Sequence, residues 1–88
     1  MLDNKQRELL TCLAEEAAEV IQAISKILRH GLYSRYDSGE MNDSYLWNEL
    51  NDFAVLWDKV VAEGIVDPVS DNLDTIWERK KRWMHYVE

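Results

Sequence analysis

Residues 10–31 read LTCLAEEAAEVIQAISKILRHG. Leu10, Leu13, Ala17, Val20, Ile21, Ile24 and Leu28 recur at three- and four-residue intervals, the spacing of one helix face. Towards the N-terminus the pattern runs back to Asp3, a good N-cap residue. Gln6 stands three positions on and can complete a capping box. Towards the C-terminus Gly31 is a natural stop. A helix from about residue 3 to residue 30 is ~40 Å long. A chain of 88 residues has little with which to cover it, so packing against a second chain is expected.

The rest of the chain reads as two further helices. One runs from about Asp43 to Glu63, with Asn42, Asp43 and Ser44 competing for the N-cap. Its stripe is Leu46, Leu50, Phe53, Leu56, Trp57 and Val60, and Gly64 ends it. The third is expected to start with Asp67 as N-cap and Pro68 at the first helical position, and to continue to about Val87. Leu73, Ile76, Trp77, Trp83, Met84 and Val87 form its apolar set. Between the first two helices, residues 31–41 read as a loop, punctuated by two glycines and two serines. No repeat, strand-period segment or low-complexity tract interrupts this order. The expected fold is all-α: a single domain over residues 1–88, a short bundle of three main helices. Oligomerisation is expected to complete it into a four-helix-type core, as a homodimer or homotetramer.

Seventeen acidic residues against ten basic ones give a net charge of −7. That speaks against binding a nucleic acid polymer, which calls for a basic face. It leaves a small phosphorylated ligand open, because a bound divalent cation reverses the local field. Cys12 is the lone cysteine, so no intrachain disulfide is possible; it reads as a packing residue. The N-terminal run MLDNKQRE is polar, unlike a secretory leader. No apolar run is long enough to span a bilayer. A soluble, cytoplasmic protein with no membrane partner is expected.

Certain acids fall against the apolar stripes. Glu16 borders the stripe of the first helix, and Glu19 follows at i,i+3 on the same flank. On the second helix Glu49 lies within the stripe, and Asp52 follows at the same interval. Burying such carboxylates together is costly unless something neutralises them. Surface solvation of each pair is the plain alternative. A magnesium ion, which takes six oxygen ligands, is the compensating partner that two facing acid pairs fit.

The stretch Leu13-Ala14-Glu15-Glu16-Ala17-Ala18-Glu19-Val20, with Glu49-Leu50-Asn51-Asp52 later, resembles the EExxE…ExxD signature of the MazG-like all-α NTP pyrophosphohydrolases. The residues that follow, up to Gly31, look like the small phage and bacterial members of that group. The resemblance covers residues 9–60 well and the last helix loosely. Two departures stand out: a long interval between Glu19 and Glu49, and Asn51 where a small residue commonly precedes the final Asp. The resemblance implies a dimeric or tetrameric bundle that hydrolyses a nucleoside triphosphate to the monophosphate and pyrophosphate. It implies Glu16, Glu19, Glu49 and Asp52 as magnesium ligands. Glu15 would orient water or support a ligand from behind, although on the helix it points away from Glu16.

The chemistry so implied is metal-assisted attack of water on a phosphorus of the triphosphate chain. Lys26, on nearly the same side of the first helix as Glu19, is a candidate for contacting the phosphates. Arg82, from the basic run Arg79-Lys80-Lys81-Arg82, is a candidate for reaching a phosphate from a neighbouring subunit. Trp47 lies off the stripe of its helix, at a subunit interface or at the substrate site. Trp57 and Trp83 read as core residues, His30 as a helix-end cation, and Tyr33 and Tyr36 as lid candidates. The alternative from another class is a non-catalytic helical dimerisation or interaction module. A di-iron bundle would need Glu-x-x-His pairs, but Ile27 and Arg82 stand three residues before His30 and His85.

Overall fold

A computed structural model describes residues 1–68 and 72–87. Asp3 begins the first helix as its spacing predicts. Its side chain accepts from the Gln6 N–H at 2.8 Å, and the Gln6 side chain accepts from the Asp3 N–H at 3.0 Å. This reciprocal box satisfies donors that the first helical turn leaves open. Helix α1 spans Asn4–His30. It stops at Gly31, whose φ of 89° and ψ of 166° lie in a region that only glycine occupies without strain.

The chain then turns through an ordered loop. Arg35 and Met41 form an isolated antiparallel bridge. The Tyr36 N–H donates to the Glu40 carbonyl, and the Gly39 N–H closes the turn onto the Tyr36 carbonyl. Helix α2 follows at Asn42–Ala62. Its N-cap is Met41, and no side chain caps it. The expected competition among Asn42, Asp43 and Ser44 is therefore settled otherwise. The loop supplies backbone acceptors instead: the Asn42 N–H donates to the Ser34 carbonyl and the Asp43 N–H to that of Leu32. Asn42 is freed for another task. It is 2% exposed, and its amide donates to the Gly31 carbonyl at 2.9 Å. The loop is thereby pinned at the corner between the helices.

Helices α1 and α2 pack as an antiparallel pair. At the end away from the loop, Lys5 and Glu63 meet at 2.7 Å, an exposed contact that solvent screens. Among the described residues only Ala23 and Val60 are buried apolar residues. The third helix departs from expectation. Helix α3 is Leu73–Lys81, capped by Asn72, whose side chain accepts from the Thr75 N–H at 2.8 Å. Asp67 and Pro68 lie outside any helix; residues 69–71 of the expected span lie outside the described residues. The helix ends before Trp83, Met84 and Val87. Among the described residues α3 packs against neither α1 nor α2. A helix this short, with no face buried, has little to sustain further turns.

The molecule is accordingly open. Its radius of gyration is 16.1 Å, against roughly 12 Å for a compact chain of this length. Its accessible surface is 7342 Å², against roughly 5,400 Å² for a compact monomer of 10.4 kDa. Ile21 and Leu28 of the α1 stripe are 66% and 80% exposed. Trp57 and Trp83, expected in a core, are 57% and 85% exposed, and Cys12, expected to pack, is exposed. Periodicity marks the face a helix would bury; within one chain there is too little opposite these residues to bury them. No helix among the described residues is long and apolar enough to cross a membrane.

Candidate metal centre

Antiparallel packing sets the middle of α1 against the middle of α2, and four of the expected acids lie there. Glu16, Glu49 and Asp52 each offer a carboxylate oxygen, and these atoms all lie within 4.8 Å of one another. Glu16 and Glu49 are half-buried, while Asp52 is exposed. A magnesium ion binds at about 2.1 Å, so its ligands stand ~3–4 Å apart. Small side-chain rotations would bring three such oxygens into that range. The donor set is all oxygen, which suits magnesium.

Glu19 lies outside this trio but is felt by it. The Glu49 carboxyl titrates above the ordinary range, first because burial disfavours its charge. The negative charges of Glu16, Glu19 and Asp52 add to the effect. A hydrogen bond from Tyr45 acts the other way and favours the ionised form. Tyr45 stands four residues before Glu49, one turn back on the same face of α2. Its ring stacks on Tyr36 with centroids 4.1 Å apart and planes 15° from parallel. Burial, then the charges of Glu49 and Glu19, raise the pKa of both tyrosines. On the other side of Tyr36, Lys26 Nζ sits 4.0 Å from the ring centroid, a cation–π contact.

The remaining sequence candidates lie elsewhere. Glu15 is exposed and outside the trio. Trp47 is exposed on α2. Arg82 caps the end of α3, away from the acids of the α1–α2 pair. Lys26 is one tyrosine pair removed from Glu49. Of the two lid candidates, Tyr33 is exposed, whereas Tyr36 is clamped between Lys26 and Tyr45. Tyr45 itself was not singled out by sequence reasoning. Its i,i+4 interval to Glu49 was the available signal.

No protein-family model, curated protein or solved structure matches this chain.

Proposed function

We propose that the chain is a magnesium-dependent nucleotide pyrophosphohydrolase, converting an NTP or dNTP to the monophosphate and pyrophosphate. The observation that carries this reading is the convergence of Glu16, Glu49 and Asp52 from two helices, with Glu49 held partly out of water among like charges. Uncompensated, that arrangement destabilises the fold; a bound cation turns it into an asset. Glu16, Glu49 and Asp52 would hold magnesium, with Glu19 next in reach. When bound, the ion supplies charge neutralisation at the phosphates and a more acidic water. Interaction with the Tyr45 hydroxyl favours the ionised form of Glu49. Lys26, over Tyr36 and one tyrosine pair removed from Glu49, is the candidate to meet the far end of a polyphosphate.

The reading includes assembly with a second copy. Roughly 1,900 Å² of surface lies beyond the compact-monomer expectation. An obligate homodimer commonly covers on the order of 1,000–2,500 Å² per chain. The apolar cleft lined by Ala17, Val20, Ile21, Leu50 and Phe53 lies along both helices and is the natural contact. The same exposed surface favours the second reading, a helical interaction module without catalysis.

One experiment separates them. Purified protein is incubated with each NTP and dNTP, with magnesium and with EDTA, and the products are resolved. Monophosphate plus pyrophosphate, lost in Glu16→Gln and Glu49→Gln, supports the enzyme. No turnover of any nucleotide, with no magnesium-dependent rise in Tm, leaves the interaction module.

A further inference from the structure

We infer that the pocket between the end of α1 and residues 34–37 is a metal-independent phosphate site, in which Lys26, His30 and Arg35 hold a phosphoryl group. The pocket encloses about 290 Å³, at the small end of ligand sites (~300–1,000 Å³). That is ample room for a phosphoryl group. Its lining is polar: the cations Lys26 and Arg35 and the imidazole of His30 meet there.

The charge balance is what points to a ligand. The chain has 17 acids and 10 bases, so an exposed cation has carboxylates to spare. Yet among the described residues no carboxylate lies within 4.0 Å of Lys26, His30 or Arg35. Asp37 lines the same pocket without forming an ion pair. Lys26 is spent only on the face of Tyr36. Arg35 uses one guanidinium nitrogen on the Gly39 carbonyl, at 2.7 Å, and a guanidinium has further donors to give. The pull of a helix C-terminus on cations accounts for His30 in the last turn. It does not account for Arg35, which lies on the loop, or for Lys26 a turn earlier.

The walls are fixed before any ligand arrives. Asn42, at the floor, is buried and bonded to Gly31. The Ser34 hydroxyl donates to the His30 carbonyl at 2.8 Å. Tyr36 is locked by its stack on Tyr45. Donors held in place by such bonds lose little freedom on binding. A tetrahedral oxyanion is the chemistry that accepts several cationic donors at once.

Lys26 is shared with the proposed polyphosphate path, but the pocket holds none of the clustered acids and needs no metal, so its test does not depend on turnover. The full chain, in EDTA, is titrated with inorganic phosphate and followed by two-dimensional amide NMR. Sodium chloride at matched ionic strength is the control. Saturable shifts confined to residues 26, 30 and 34–37 are expected. Lys26→Gln and Arg35→Gln should each weaken binding about tenfold or more, as loss of a charge-assisted hydrogen bond does. Arg29→Gln, a nearby cation outside the pocket, should bind as the wild type does. Because Arg35 also anchors the loop, Lys26→Gln is the variant that decides if Arg35→Gln alters the fold. A nucleoside monophosphate, titrated likewise, distinguishes a free ion from a phosphate ester. Pocket shifts with both identify the phosphoryl group as the recognised part. Shifts with the ester alone, shifts that chloride reproduces, equal weakening by Arg29→Gln, or no saturation at tens of millimolar phosphate would each overturn the inference.

Discussion

The corner where α1 turns into α2 and the flank of the same two helices are built in opposite ways. At the corner a buried Asn42 amide, a glycine-only backbone at Gly31 and a stacked tyrosine pair hold an ordered turn. Its contacts lie close in sequence, and the chain supplies them all. Along the flank, Ile21, Leu50 and Trp57 stand exposed at the edges of apolar clefts, and Leu28 is exposed further along α1. Polar geometry can be finished locally. Apolar burial scales with how much chain there is to cover it, and 88 residues in this arrangement do not suffice.

The sharpest way to break this contrast is at the acids between the two regions. If the chain hydrolyses nucleotides as proposed, Glu49→Gln and Glu16→Gln should each lower turnover by about 10³-fold or more, since metal-assisted charge stabilisation contributes several kcal/mol. Steady-state rates at saturating magnesium check this. Next comes the flank. Ile21→Glu places a charge in the apolar cleft and is expected to convert the proposed assembly to monomers in sedimentation velocity. A wild-type chain that stays monomeric at high concentration would end the idea that a second copy covers this face.

The corner is tested by Gly31→Ala and Asn42→Ala. The first forces a side chain into a region that costs on the order of 1–3 kcal/mol. The second strands the Gly31 carbonyl, at about 1–3 kcal/mol. For a domain this small, each kcal/mol lowers Tm by roughly 4–8 °C. If neither variant moves the thermal transition, the corner is not what holds the pair together.

Smaller effects follow from titration. The Glu49 pKa is raised in the folded state, so ionisation there opposes folding. Stability from this group is present in acid and is lost as pH climbs from the ordinary glutamate value through the raised one. Without metal, Glu49→Gln should therefore melt a few degrees higher than wild type at pH 7, the gain vanishing in acid. An equal or lower Tm at pH 7 contradicts the sign. The smallest effect belongs to Cys12→Ser, on an exposed thiol. It should shift stability by less than about 0.5 kcal/mol, and maleimide should modify wild-type Cys12 without unfolding the chain.

Sequence reading reached the first helix almost residue for residue, because the Asp3–Gln6 box and Gly31 are local signals that nothing overrides. Of the two predicted acid pairs, Glu16, Glu49 and Asp52 converge while Glu19 stays outside the trio, because i,i+3 spacing fixes neighbours on one helix and not what the facing helix brings near. Sequence reading missed the start of α2, where loop carbonyls replace a side-chain cap. It set the start of the third helix at Asp67-Pro68, where Asn72 caps instead. It placed Trp57 and Trp83 in a core, because a helical stripe states which face is apolar and not whether anything lies opposite. The link from Tyr36 through Tyr45 to Glu49 joins a loop to a helix, and only three dimensions reveal it.

The Tyr36–Tyr45 stack carries an ammonium over its Tyr36 face and a carboxylate near the Tyr45 hydroxyl. It holds groups of opposite charge a short way apart. A small ion near it meets a field that changes sign over a short distance. For a molecule with unlike ends that gradient selects an orientation during approach, before any hydrogen bond forms.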